Sequence, residues 1–237
     1  MDLEKTVIQL MRKIERHFYG KYRGFVVDNA DPENLGRLKL KVPSVLGTDV
    51  VTGWALPCSP YAGSANQGML FIPEVDSGVW VEFEEGDLEF PVWVGGFWSK
   101  PDDETELPKP NDTEGVEEDE VQSPVTRKII KTLKGHSIQF EDKDDEEMIT
   151  IVQNSDDGKR NVLTLNADGI TVLQQIDDGN SNKIEMTERG IKLTDFTGNV
   201  FDMNDSAVTL TAKVAMTIDV SGQNLTIKAS AIDFTKA

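Results

Sequence analysis

The sequence predicts an all-β protein that begins with one helix and continues as a small β-barrel, an acidic linker and a repetitive β-ribbon. Two observations predict it. Residues 22–99 divide into short segments in which apolar and polar residues alternate, with turn residues between them. From residue 136 onward, pairs of apolar residues recur at regular spacings, which is typical of stacked β-hairpins. We therefore predict four regions, at residues 1–21, 22–99, 100–135 and 136–237.

The first region has the periodicity of an amphipathic helix. Its apolar residues recur every three or four positions, Asp2 can cap the first turn, and Gly20 can end the helix. The apolar stripe must pack either on the barrel of the same chain or on a partner, and the sequence leaves both open. In the second case the docking residues are Leu3, Val7, Leu10, Ile14 and Phe18.

The second region contains five or six short strands. The clearest is Arg37–Val42, in which Leu38, Leu40 and Val42 point to one side and basic residues point to the other. So many short strands in fewer than 80 residues predict a closed barrel such as an OB-fold. Glu85-Gly86-Asp87 supplies a hairpin turn, and the other strands are Tyr22–Val27, Trp54–Cys58, Met69–Ile72, Val79–Phe83 and Pro91–Phe97.

Composition argues against several classes of function. The net charge of −18 would repel a nucleic-acid backbone, so we expect no nucleic-acid partner. Cys58 is the only cysteine, and His17 and His136 are the only histidines. These residues leave little material for a disulfide, a thiolate metal site or histidine-based catalysis. We expect no enzyme activity, no cofactor and no metal.

The third region, residues 100–135, is strongly acidic. Between Asp102 and Glu120 ten residues are acidic and one, Lys109, is basic. Such a segment buries too little apolar surface to offset the entropy lost on ordering it. We expect an extended, solvated linker.

The repeat in residues 136–237 carries the functional argument. Each of four units contains an apolar pair, a turn, and a second apolar pair that starts seven residues after the first. A related unit around Ile138 precedes them, and Ile232 and Phe234 begin a final half unit. The four units contain Leu163, Leu165, Ile170 and Val172; Ile184, Met186, Ile191 and Leu193; Phe201, Met203, Val208 and Leu210; and Ile218, Val220, Leu225 and Ile227.

Each strand of this ribbon is predicted to have one apolar face and one polar face. A single ribbon has no second layer to cover the apolar face. Three copies around a threefold axis would cover it, as a trimeric prism, and a two-sheet sandwich within one chain is the competing solution. The short, even spacings favour the homotrimer, in which the sixteen residues of the four units form the core.

Several motifs of the barrel region resemble, in order, those of phage baseplate assembly protein V and of the VgrG spike of type VI secretion. The resemblance covers residues 24–99, whereas the ribbon is similar in architecture only. It implies an OB-fold collar on a needle that is a trimeric triple-stranded β-helix, and sheath contraction drives this needle through a target membrane. The motifs are Asp31-Pro32, Gly36–Pro43, Gly53-Trp54-Ala55, Ile72–Gly78, Phe83–Asp87 and Pro91–Gly95.

The resemblance also implies partners and a location. The collar would dock on a baseplate hub protein, and a PAAR-repeat protein would cap a blunt tip at Ile232, Phe234 and Thr235. The chain would assemble in the cytoplasm into the baseplate of a phage tail or an injection particle. It departs from some relatives, because we find no room for a lysozyme domain, no His-x-His apex and no large hub region. A polysaccharide-degrading tailspike and a receptor-binding adhesin remain alternatives.

Overall fold

The computed structural model describes residues 3–15, 17–155 and 157–235, apart from the side chains of residues 9, 10 and 12–15. Most of its secondary structure is β-strand, which confirms the predicted fold class. The chain divides into two compact units, Met1–Leu107 and Pro108–Ala237. We call them the barrel unit and the sheet unit and describe each by itself.

The barrel unit begins with helix α1, Leu3–Glu15. Leu3 and Val7, two of the predicted docking residues, are exposed. Asp2 and the side chains of Leu10 and Ile14 lie outside the described residues. The predicted helix is therefore present, and its apolar stripe is visible in part.

Phe18 differs from the prediction, because it lies beyond the helix and packs on the barrel. Its ring centroid is 6.2 Å from that of Tyr22 and 6.1 Å from that of Phe83. Its backbone N–H donates to the carbonyl of Gly86 at 2.8 Å. Phe18 thus extends the barrel core rather than the helical stripe.

Five strands form the barrel, in the order β2–β1–β4–β5–β3. Strand β3 runs parallel to β5, and the other neighbouring strands are antiparallel. Leu38 and Ala55 exchange two backbone hydrogen bonds of 3.0 and 2.8 Å, which join β2 to β3 and close the barrel. The strands are β1 (Tyr22–Asp28), β2 (Lys39–Lys41), β3 (Leu56–Pro57), β4 (Gly78–Phe83) and β5 (Pro91–Gly96), with the short helix α2 (Pro43–Leu46) after β2.

The barrel has a fully buried apolar core. Leu38, Leu40 and Val42 are 0% exposed, which confirms the inward face predicted from their alternation. Trp93 also faces the core, and its indole N–H donates to the carbonyl of Gly36 at 3.1 Å. The other buried members are Val26, Ala55, Val79, Val81 and Phe83.

The turn before β2 is fixed by a carboxylate. Asp31 accepts hydrogen bonds from the backbone N–H groups of Glu33, Leu35 and Arg37, and from the Arg37 guanidinium at 2.6 Å. The hydrogen bond from the Arg37 side chain holds the pKa of Asp31 well below its usual range. The Asp-Pro turn and the following strand are thereby locked together.

The predicted strand at Met69–Ile72 is absent from the described barrel. The N–H of Met69 donates to the carbonyl of Tyr61 at 2.8 Å, and this bond closes a loop ahead of the segment. Pro73 follows and cannot donate a backbone hydrogen bond. Leu70–Ile72 consequently joins no strand of the sheet, and Leu70 is 78% exposed.

The sheet unit contains nine antiparallel strands in chain order, so each strand pairs with its neighbours along the sequence. This meander is what the repeated hairpins predicted. The strands are β6 (Arg127–Lys131), β7 (Ser137–Glu141), β8 (Met148–Asn154), β9 (Arg160–Asn166), β10 (Gly169–Asp177), β11 (Asn180–Thr187), β12 (Gly190–Thr194), β13 (Val200–Asn204) and β14 (Val208–Thr211).

Glycines permit two of the tight turns. Gly169 and Gly190 open β10 and β12 with φ of +132° and +151°. A Cβ atom at either position would overlap the backbone carbonyl of the adjoining strand, at Met186 or Met203. Both positions therefore require glycine for conformation and for space.

The sheet extends differently from the prediction at both ends. Strand β6 lies inside the predicted linker, and residues 110–118 pack on the sheet instead of being solvated throughout. At the other end, the described residues 212–235 form no strand, although their apolar residues still alternate. A strand needs a hydrogen-bonded neighbour, and the described part of this chain supplies none to these residues.

Candidate assembly interface

Two ladders of apolar side chains cross the whole sheet on one face. Residues directly opposite each other in paired strands share a face, as do residues two apart in one strand. Val172, for example, lies opposite both Leu163 and Ile184. The first ladder is Lys128, Phe140, Ile149, Leu165, Ile170, Met186, Ile191, Met203 and Val208; the second is Ile130, Ile138, Ile151, Leu163, Val172, Ile184, Leu193, Phe201 and Leu210.

This ladder face is open to solvent in the single chain. Ile184, Ile191 and Leu193 are 38–39% exposed, and Val208 at the sheet edge is 71% exposed. Neighbouring ladder residues shield one another, but no second layer lies above them within the described sheet. A continuous apolar surface of this kind marks an interaction site.

The opposite face of the first strands is polar and nevertheless buried. Ser137, Gln139, Thr150 and Thr164 are each at most 4% exposed. They are buried by residues 110–118, which we call the covering loop. The sheet unit thus buries polar side chains on one face and exposes apolar side chains on the other.

Asn111 anchors the covering loop to β7. Its backbone N–H donates to the side-chain oxygen of Gln139 at 2.9 Å, and the Gln139 amide donates back to the Asn111 carbonyl at 3.2 Å. The Ser137 hydroxyl donates to the side-chain oxygen of Asn111 at 3.0 Å. Farther along, the Thr164 hydroxyl donates to the carbonyl of Thr113 at 2.9 Å. These bonds satisfy polar groups that would otherwise be costly to bury.

Arg127 on β6 joins the covering loop to the sheet. Its guanidinium donates to Glu141 at 2.8 Å, to Glu118 at 2.7 Å and to the carbonyl of Asn111 at 3.0 Å. Burial alone would raise the pKa of Glu141, but hydrogen bonds from neighbours including Gln122 and Arg127 lower it to about 2. The carboxylate therefore stays ionised in the folded sheet well below neutral pH.

An apolar trio on this face was missed by the sequence reasoning. Val152, Val162 and Leu173 lie opposite one another on β8, β9 and β10 and are 3–6% exposed. Gly115 of the covering loop sits so close that a Cβ there would meet Val162 and Val152. These three apolar residues interrupt the polar alternation, which was the available signal that something covers this face.

Beyond β10 the polar face becomes a charged surface. Glu185, Lys192 and Asp202 lie directly opposite one another on three successive strands. Alternating charges at adjacent positions attract across a sheet. This face is suited to water, whereas the ladder face behind it is not.

The barrel unit is identified by a family comparison. Residues 22–98 match the model of the type VI secretion system/phage-baseplate injector OB domain. The barrel is therefore similar to the injector OB domain of such systems. The match spans the five strands of the barrel and ends before the sheet unit. A search of curated proteins found no match to the chain. The family match supports a structural role in a baseplate or injector particle.

The structure brings twelve of the predicted core residues into the two ladders. The other four, Ile218, Val220, Leu225 and Ile227, lie past the last strand, as do the predicted tip residues Ile232, Phe234 and Thr235. Phe234 is 90% exposed. The predicted hub-docking residues divide between the helix, with Leu3 and Val7, and the barrel, on which Phe18 packs.

The described residues offer little to a chemical site. They include no group of three or more His, Cys, Asp or Glu side chains arranged to hold a metal ion. Among the same residues, no helix is long and apolar enough to cross a bilayer. The most extensive feature left unpartnered within one chain is the ladder face.

Proposed function

We propose that this chain is the subunit of a homotrimeric central spike in the baseplate of a contractile phage tail or phage-like injection system. The observation that carries the proposal is the open ladder face in a chain that also contains an injector OB domain. The spike acts mechanically, piercing a target membrane, and has no catalytic residues or cofactor.

Three copies suit the ladder face because it is narrow. Each strand except β6 contributes two apolar residues, so the face is about 7 Å wide while it runs across nine strands. Three narrow strips can meet around an axis with no gap, as the sides of a triangular prism. The covered and charged opposite face would then point outward to solvent.

This arrangement would make a stiff rod. Strands would run across the axis, and their backbone hydrogen bonds would run along it, around a core without water. Unfolding would require the three chains to separate, so the stability would be largely kinetic.

The end of the chain would complete the rod. Residues 212–235 continue the alternation without a strand partner in this chain, and the other copies would supply the partners. We propose that Ile232, Phe234 and Thr235 form a blunt tip that binds a PAAR-repeat protein. At the other end, exposed Leu3 and Val7 on α1 would contact a baseplate hub protein.

The oligomeric mass tests the proposal most directly. Light scattering on the purified chain should give three times 26.3 kDa, and electron microscopy should show a rod. A stable, folded monomer would refute the trimer and the spike with it.

A deletion tests the proposed tip separately. Removing residues 231–237 should abolish binding of a PAAR-repeat protein and leave the trimeric mass intact. Binding that survives the deletion would show that the tip is assigned to the wrong residues.

A further inference from the structure

We propose that Lys128 sets the register in which the copies of this chain associate. The inference rests on the proposed trimer and concerns how its three ladder faces align. It begins from a weakness of repetitive interfaces, which is that they can also pair out of step.

The ladders are nearly uniform along the sheet. Of their eighteen positions, seventeen hold apolar residues, and these are similar from strand to strand. If one copy slid along the axis by two strands, about 10 Å, strand direction would be unchanged and apolar residues would still face apolar residues. Hydrophobic contact alone therefore discriminates weakly between the aligned register and a displaced one.

Lys128 is the exception among the eighteen positions. It lies on β6, at the outer end of the first ladder, directly opposite Phe140. Its ammonium donates to the carbonyl of Thr126 at 2.9 Å and pairs with Asp142. Its side chain is 63% exposed, so in one chain the charge is both paired and hydrated.

The environment of the Lys128 ammonium differs between the two registers. In the aligned register, three Lys128 residues meet at the end of the apolar strip, where water and Asp142 still reach them. In a register displaced by two strands, Lys128 of one copy would lie level with Ile149 on its neighbours. The ammonium would then be enclosed by apolar side chains of the neighbours and lose its water, even with Asp142 of the same chain still paired to it, which is unfavourable. One polar residue in an apolar seam is known to select register in this way.

Disulfide trapping between copies can detect the register. In a Cys58→Ser background, chains carrying Ile184→Cys are assembled together with chains carrying Phe201→Cys. These two positions belong to the second ladder and lie two strands apart, on β11 and β13. A disulfide requires Cα atoms about 4.4–6.8 Å apart, so the mixed 184–201 bond is out of reach in the aligned register and within reach after the slip.

The parent is the mixture of the two cysteine variants with Lys128 retained. We expect it to form disulfides only between like positions, 184 with 184 and 201 with 201. Lys128→Met should add the mixed 184–201 disulfide, increasing it several-fold over background on gels and by mass spectrometry. Lys128→Ala should do the same, and it provides a second variant if the first folds poorly. The matched control is Lys192→Met, which removes a lysine from the opposite face and should leave the pattern unchanged.

The outcomes separate this inference from the proposed function. A parent that is not a trimer overturns both. A trimeric parent whose Lys128 variants stay trimeric and form no mixed disulfide overturns the register role of Lys128 alone. Mixed disulfides in the parent, or equally in Lys192→Met, would also overturn it.

Discussion

The two units of this chain bury their side chains in opposite ways. In the barrel unit, Leu38 and Leu40 are 0% exposed and charged residues face outward. In the sheet unit, Gln139 and Thr150 are buried, while Ile184 and Leu193 remain over a third exposed. The barrel therefore completes its core within one chain, whereas the sheet leaves an apolar face uncovered within one chain. The comparison shows that apolar alternation alone does not say whether a unit is self-sufficient.

The largest expected effect comes from a charge on the ladder face. Ile191→Asp should abolish the trimer, because three carboxylates would be buried together near the axis. Light scattering should then report a monomer or an aggregate. Thr194→Asp is the matched control, since Thr194 lies on the opposite face beside Lys183 and should leave the mass unchanged. If Ile191→Asp still forms a trimer, the ladders are not the interface.

A core substitution in the barrel should act within one chain. Leu40→Ala removes a fully buried side chain and should lower the free energy of unfolding by about 3 kcal/mol. All four tryptophans belong to the barrel unit, so their fluorescence reports on it. The midpoint of unfolding, followed by tryptophan fluorescence, should fall by the same amount at every protein concentration. Leu193→Ala on the ladder should leave that midpoint unchanged and weaken the trimer. A barrel midpoint that depends on protein concentration would contradict a barrel core completed within one chain.

Strand pairing in the sheet should depend on its glycines. Gly190→Ala should cost about 1–3 kcal/mol, since its φ is unfavourable for a side chain and the added Cβ meets the Met203 carbonyl. Gly179→Ala is the control, because nothing lies within 4 Å of that position and its φ is not in the left-handed region. Chemical unfolding followed by far-ultraviolet circular dichroism gives both values. Equal effects of the two substitutions would argue against the observed β11–β12 turn and the close approach of Gly190 to Met203 on β13.

The smallest effect should be a local response to acid. The folded pKa of Glu141 is lowered to about 2 from an ordinary value of 4.5, so its ionisation stabilises the folded sheet above pH 4.5. That contribution should be lost progressively as the pH falls from about 4.5 toward about 2. Hydrogen exchange in residues 110–118, corrected for intrinsic rates, should then accelerate. Glu141→Gln should remove this pH step, and a step that persists would assign it to another group.

Sequence reasoning reached the parts of the fold that depend on local alternation. It located the inward residues around β2 and twelve of the ladder residues. Alternate residues lie on the same face of a strand, whichever sheet that strand joins. It missed the covering loop, which is held by polar bonds between Asn111 and Gln139, residues far apart in sequence and without an apolar signature. It predicted a strand at Met69–Ile72 and further strands past Thr211, since alternation does not reveal whether a neighbouring strand exists to pair with.

The uniform register of the ladders has a consequence for length. If residues 180–194, the strands β11 and β12, were excised, β10 would face β13, and Ile170 and Val172 would oppose Met203 and Phe201. The shortened sheet would keep the same cross-section and lose about 10 Å. Hairpins can therefore be added or removed as whole units. Each such change would alter the length of the sheet and leave its width the same.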